Sequence, residues 1–227
     1  MDNPGGDSAH LKSFVLRSGR MTPAQTRSYE TGHYLIPYTG EPADFAASFG
    51  NNKPVTVEIG FGMGRATAEI AAANPDKNYV GIEVFKAGIG KLIWEAETRG
   101  LLNIRIIEHD AVDVVQKMIA PVSAAAFHIF FPDPWPKKRH HKRRLIQKPF
   151  AELLASRLCP GAYVYFVSDW EEYAQSALEV FSAVPALTNP HGGFAPPLEW
   201  RVQTKFEKKG LDKNHLVREI YMERVKT

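Results

Sequence analysis

From Val55 onward, short apolar runs alternate with helix-prone stretches, and this rhythm constrains the fold more than any other feature of the 227-residue chain. "VTVEIG" reads as a strand and "RATAEIAAANP" as a helix stopped at Asn74-Pro75. "NYVGIEV" and "FKAGIGKLIWEAETRG" repeat the pair, with Gly100 as the stop. "NIRIIEHD" with "AVDVVQKMI", "AAAFHIFF" with "RLIQKPFAELLASRLCPG", and "AYVYFVSD" with "WEEYAQSALEVFSAV" complete five strand–helix units. Apolar strands alternating with helices belong in a parallel sheet covered on both sides. The loop "NPHGGFAPP" breaks the rhythm. After it come "LEWRVQTKFE" and "HLVREIYMERV", with no helix-length segment between them. The expectation is an α/β fold: a mostly parallel sheet of about seven strands, helices on both faces, and a C-terminal antiparallel hairpin.

A chain of this length suits one large domain and needs no disulfide or metal to hold its core. Cys159 is the only cysteine, which excludes an internal disulfide and a multi-cysteine zinc site; "LCPGAY" reads as a core thiol before a turn. Residues 1–30, with Arg17, Arg20 and Arg27 among few apolar side chains, are expected to form a flexible arm, either a lid or a solvated extension. Residues 31–227 form the domain, entered through a short helix in "ADFAASFGNNKP". "MDNPGGDSAH" lacks the cationic-then-apolar order of a secretory signal. The near-apolar run from Val122 to Phe131 is far short of the ~20 residues of a membrane helix, so a cytoplasmic protein without membrane contact is expected.

Ligands of open parallel sheets bind beyond the carboxyl ends of the strands. The first such loop, "EIGFGMGRA", places Gly60, Gly62 and Gly64 where bare backbone permits a tight turn and a close ligand. The dinucleotide spacing G-x-G-x-x-G would need glycine at 65, where Arg65 stands. Glu58 would repel a pyrophosphate but accept hydrogen bonds from a cationic amino-acid moiety, which favours S-adenosylmethionine (SAM) over NAD. Glu83 ends the second strand, where an acid either accepts both ribose hydroxyls or caps the next helix. Asp110 ends the third and either meets an adenine edge or caps the next helix. Three acids at successive strand ends each need a partner if buried, and an adenosyl ligand supplies all three. His109 reads as a packing residue.

The fourth strand runs into "FFPDPWPKKRHHKRR". Pro132, Pro134 and Pro136 cannot continue a central strand. Phe131, Asp133 and Trp135 each precede a proline and are expected to be extended. The result is a stiff spur that holds Asp133 near a methyl donor, with Trp135 either stacking on a base or wedging the loop. The eight residues from Lys137 to Arg144 carry +6 with histidines neutral, against +3 for the chain, so everything else is net negative. Such local charge suggests a docking site for a polyanion. Lys205, Lys208 and Lys209 form a second rim or merely keep the hairpin soluble.

"FPDPWPKKRHHKRRL", with "EIGFGMG" upstream, "TKFE" downstream and the opening "SFVLRSGRMTPAQ", resembles the bacterial tRNA (guanine-N7)-methyltransferase family along nearly the whole chain. The resemblance implies a Rossmann-like class I methyltransferase that modifies a guanosine in the tRNA variable loop. It implies SAM contacts at Glu58, Glu83 and Asp110 and a central role for Asp133. It also implies substrate contacts at Lys137, Asp169, Thr204, Lys205, Phe206 and Glu207. RNA would be met by Arg139, His140, His141, Lys142, Arg143 and Arg144. By itself Asp169 reads equally as a cap for "WEEYAQ". The chain departs from the family pattern at Lys209 and Asn214, after an intact Thr204–Glu207. The expected partners are tRNA and the methyl donor, with no obligate protein partner, no metal, and a monomer or homodimer.

Guanine N7 bears a lone pair and no proton, so no general base is required. Alignment and stabilisation of the positive charge arising on the ring remain, and both fall to Asp133, which grips guanine N–H donors or the donor's amine. Three other readings stay open. They are methylation of an exocyclic amine, since Asp-Pro-Trp loosely resembles Asn/Asp-Pro-Pro-aromatic motifs, a dinucleotide oxidoreductase, and a non-enzymatic RNA-binding module.

Overall fold

The computed structural model describes residues 13–14, 19–202 and 216–226. Five parallel strands are laid down in the expected order: β1 (Val55–Ile59), β2 (Asn78–Glu83), β3 (Ile104–Glu108), β4 (Ala124–Phe130) and β5 (Leu158–Ser168). β6 (Leu187–Thr188) and β7 (Arg218–Arg224) complete a seven-stranded sheet of order β3-β2-β1-β4-β5-β7-β6. β7 lies antiparallel to both neighbours, with Phe166 opposite Ile220 on one side and Leu187 opposite Arg224 on the other. The topology is the mostly parallel, Rossmann-like one expected.

Strand alternation sends two sets of side chains to opposite faces. On one face Val57, Ile82, Phe127, Ile129, Phe166 and Ile220 pack beneath α5 (Ala111–Lys117), α6 (Lys148–Arg157) and α7 (Glu171–Ser182), with Phe49 of α2 (Phe45–Phe49) at the margin. On the other, Tyr79, Ile104 and Ile106 pack with α3 (Arg65–Ala73) and α4 (Lys86–Arg99). No helix among the described residues is long and apolar enough to cross a membrane.

Three local features differ from the sequence reading. Within the stretch read as an arm, Pro23–Thr31 form α1, entered through a capping box in which Thr22 and Gln25 exchange hydrogen bonds. The helix and the residue before its cap pack on α4 so closely that a Cβ at Gly90 would lie 3.1 Å from the Gln25 carbonyl oxygen and 2.5 Å from the Met21 sulfur. Residues 1–12 and 15–18 of that stretch lie outside the described residues.

"LCPG" belongs to β5 and does not extend the fourth helix. Leu158 pairs with Ala124, and the ladder resumes at Ala126 and Tyr163 after a bulge containing Pro160 and Gly161 (φ 77°). Cys159 is a free, half-buried thiol on the core margin.

Finally, residues 198–202, the start of the first expected hairpin run, form a turn in which the Arg201 N–H donates to the Leu198 carbonyl. The antiparallel partners of β7 are therefore β5 and β6. The remainder of that run, 203–207, lies outside the described residues.

Candidate active site

β1 and β4 are neighbours, but their following connections lead to opposite sides of the strand order, so a crevice opens between them at their carboxyl ends. The glycine turn leaves β1 and the proline loop leaves β4 at this point.

Gly60, Gly62 and Gly64 all hold positive φ (74°, 58° and 71°), and Gly64 is the N-cap of α3. The turn is packed against α4 without side chains between them: a Cβ on Gly88 would fall 1.9 Å from the Gly62 carbonyl oxygen. Glu83 braces it from β2. One carboxylate oxygen accepts the Gly62 N–H at 2.9 Å, and the other accepts those of Val84 and Phe85 at 2.7 and 3.1 Å. The oxygen facing Gly62 keeps lone-pair capacity for a further donor.

Glu58 is buried, at 3% exposure, and its Oε2 has no hydrogen-bond partner among the described residues. Burial pushes its carboxyl up to about 7, with the nearby Thr67 hydroxyl acting against the rise and the Glu83 charge adding to it. An orphaned carboxylate oxygen two residues before the glycine turn fits a ligand that brings donors and positive charge, as the amino-acid end of SAM does. It does not fit a pyrophosphate.

Opposite Glu58 on β4 stands His128, also buried. Burial first, and the charge of Lys77 second, push its imidazole down to about 3, so it is neutral. Its Nε2 lies 3.1 Å from the Tyr163 hydroxyl, and its ring stacks on Trp200 at 5.0 Å. Arg201 donates twice to buried Glu219, at 3.0 and 2.7 Å, and Tyr165 donates to the other oxygen of that carboxylate. This group pins the chain on both sides of residues 203–215. Sequence reading missed it, although a histidine within "AAAFHIFF" and an acid within "REIYMER" were the available signals.

Asp110 caps α5, its Oδ1 accepting the Val112 N–H at 2.8 Å, so the helix-cap role weighed for it is realised. His109 stacks on Tyr38 at 3.6 Å, a packing residue as expected. Asp169 does not cap α7. Trp170 holds that position without a side-chain capping bond, and Asp169 is half-buried between β5 and the helix.

Asp133 is half-buried in the loop from β4, close enough to Tyr173 for its charge to act on the phenol. The loop is not the extended segment expected from its prolines. Phe131 and Trp135 hold positive φ, 50° and 46°, each immediately before a proline. Such backbone costs of order 1–3 kcal/mol per residue and persists only where its surroundings impose it. The Phe131 N–H donates to Val167 at 2.8 Å. Trp135 is gripped: its indole N–H donates to the Ser13 carbonyl at 3.0 Å and the Arg143 guanidinium lies 5.0 Å over its ring.

Lys138–Arg143 form a 3-10 helix with Lys137 at its N-cap. Lys137, Arg139, Lys142 and Arg143 are exposed. His140 and His141 are half-buried, and burial followed by the charges of Arg139 and Arg143 keeps the His140 imidazole below its usual range. Arg144 departs from the surface role expected of it: it is buried at 4% exposure and its guanidinium is engaged by Pro134 and Glu172. Thr204, Lys205, Phe206 and Glu207, with Lys209 and Asn214, lie outside the described residues.

Residues 52–220 match a family model described as "Putative methyltransferase". A tRNA (guanine-N(7)-)-methyltransferase of Bordetella parapertussis is 50% identical over 225 residues, covering 98% of this chain and 88% of that protein. One from Nitrosospira multiformis is 50% identical over 212 residues, covering 92% and 93%. Among solved structures, the 16S rRNA methyltransferase KamB superposes with a TM-score of 0.60 at 14% identity, covering 82% of this chain and 95% of that one. A 16S rRNA (adenine(1408)-N(1))-methyltransferase from Catenulisporales acidiphilia, solved with its cosubstrate SAM, gives 0.55 at 14% identity, covering 79% and 89%. At these identities the solved structures establish the fold alone.

Proposed function

The chain belongs to the tRNA (guanine-N7)-methyltransferase family, and we propose that it methylates N7 of a guanosine in the variable loop of tRNA, with SAM as donor. The observation that carries the reading is the pairing, at one crevice, of a ligand-ready glycine turn with a rigid acidic loop that continues into an exposed cationic helix. Bound SAM supplies an electrophilic methyl group on a sulfonium. Glu58 would take its amino-acid end, Glu83 its ribose, and Asp110 its adenine edge.

The nucleophile needs no deprotonation, because N7 already presents its lone pair. The chain's contribution is to align the base and to stabilise the positive charge that passes to the guanine ring. Asp133 would do both, gripping base N–H donors and opposing the developing cation. Preorganisation is what such an in-line reaction rewards, and a loop with three prolines has little freedom left to lose. Lys137, Asp169 and the segment Thr204–Glu207 would serve as further substrate contacts. Arg139, Lys142 and Arg143 would meet phosphates, with His140 and His141 beside them. Acting on tRNA, the enzyme would work in the cytoplasm.

The test is to incubate unmodified tRNA with methyl-labelled SAM and map the labelled nucleoside. 7-Methylguanosine is expected. Label on an exocyclic amine would refute the N7 assignment, and no transfer would refute the enzyme.

A further inference from the structure

Arg144 closes the basic run in sequence, yet its neighbours Lys142 and Arg143 are exposed and it is not. Its Nε donates to the Pro134 carbonyl at 2.9 Å. Nη1 and Nη2 donate to the two carboxylate oxygens of Glu172 at 3.2 and 2.8 Å. Nη2 also lies 3.1 Å from His141 Nε2, and the guanidinium sits 4.9 Å over the Tyr173 ring. Pro134 directly follows Asp133, and Glu172 lies in the first turn of α7, three residues beyond Asp169. One planar fork therefore ties the Asp133 loop to the helix that follows the neighbouring strand.

The loop has particular need of such a tie. Pro132, Pro134 and Pro136 have no N–H with which to join a ladder, so the segment must be held through its carbonyls and side chains. The Pro134 carbonyl is the group adjacent to Asp133, and Arg144 holds it. Tyr173, beneath the guanidinium, accepts the Ile146 N–H at 3.1 Å and so fixes the chain just after Arg144. With its side chain only 2% exposed and its donors directed to three protein groups, Arg144 has no face to offer a phosphate.

We propose that Arg144 is a positioning residue for methyl transfer, which fixes Asp133 from behind by joining Pro134 to Glu172, and is not an RNA contact. The inference rests on the methyl-transfer reading above, and it divides the basic run into an exposed part that meets RNA and a buried end that sets the geometry of the site.

The experiment compares wild type with Arg144→Met, Arg144→Lys, Glu172→Ala and the Arg144→Met/Glu172→Ala double variant. Transfer rates at saturating tRNA and SAM, SAM affinity, and the salt dependence of tRNA binding are read for each, with Arg143→Ala as the contrasting surface change. For Arg144→Met, kcat should fall by about 10–10²-fold, the penalty of a small misplacement. SAM affinity and the log–log salt slope should stay at wild-type values. Arg144→Lys should recover only part of the rate, since an ammonium keeps the charge but not the fork. Glu172→Ala should lower kcat in the same direction by less, and the double variant should be no slower than Arg144→Met alone.

A wild-type kcat in Arg144→Met, or a salt slope flattened by roughly 0.7–0.9 as when one phosphate is no longer neutralised, would overturn the proposal. If Arg144→Met does not fold, Glu172→Ala decides, because that acid is largely exposed and its removal should leave the fold intact. An unchanged kcat there would overturn the proposal and a lowered one would support it. Each variant is compared with wild type on whichever base is methylated, so a wrong base would refute the assigned reaction without touching the role of Arg144.

Discussion

The two halves of the crevice are made rigid by different means. On the β1–β2 side, stiffness comes from the backbone of the turn itself: Gly62 lies directly against Gly88, and its N–H donates to the neighbouring Glu83 carboxylate. On the β4–β5 side, it comes from side chains that reach across the fold, Arg144 to Pro134 and Glu172, and Trp135 to Ser13. The first half keeps a buried acceptor without a partner, and the second strains its own backbone at Phe131 and Trp135. The contrast suits the tasks. A small ligand that brings its own donors can be met by a pocket with an unsatisfied acceptor, whereas a tRNA nucleoside must be met by a loop whose position is set before it arrives.

Replacing Asp133 with Ala tests that division most severely. On the proposed role kcat should fall by about 10²–10³-fold with SAM affinity preserved; near-normal turnover would leave the stiff half without a purpose. Glu58 offers the matching test on the other half. Its folded-state pKa of about 7 exceeds the ordinary value of 4.5, so the ligand-free protein holds a proton that the unfolded chain releases. Stability should therefore fall as pH rises from about 4.5 to 7, by at most about 3 kcal/mol, and Glu58→Gln should remove that dependence. SAM affinity of the wild type should rise over the same range as Glu58 ionises, whereas that of Glu58→Gln should be weak and flat. Titration calorimetry across this range distinguishes the two; a wild-type affinity independent of pH would show that the amino end binds elsewhere.

Gly88→Ala should weaken SAM binding, because the new methyl meets a carbonyl that cannot swing aside. Overpacking of this kind costs about 1–3 kcal/mol, and unaltered affinity would mean the two backbones separate easily. The gentlest change is removal of Arg139, Lys142 and Arg143 as a set. For every phosphate left without its cation, the salt slope of tRNA binding should flatten by roughly 0.7–0.9. A slope like that of the wild type would point the cationic helix elsewhere.

What could be read from the sequence follows this same division. Apolar strands, helix stops and glycines are local signals, so the succession of strands and helices through β5, the glycine turn and the acids at its strand ends were legible from residue type and spacing. The bracing of the other half depends on pairs far apart in sequence, such as Arg144 with Glu172 and Trp135 with Ser13. A buried arginine looks like any other member of "KKRHHKRR" until the fold supplies its partner. Proline rules favoured an extended spur, but tertiary bonds held Phe131 and Trp135 in a conformation those rules disfavour. The antiparallel C-terminal end was legible too, but its pairing was not: β7 finds neighbours in β5 and β6, while residues 198–202 form a turn.

That placement of β7 bears on how the protein is made. Residues 218–224 come after every other described element yet lie inside the sheet, so on the ribosome β5 keeps an open edge, and the two-residue β6 has nothing to join, until they are synthesised. Until then the nascent chain offers that edge to any strand it meets. A premature stop codon before Arg218 would then yield an aggregation-prone polypeptide, and not a slightly shortened enzyme.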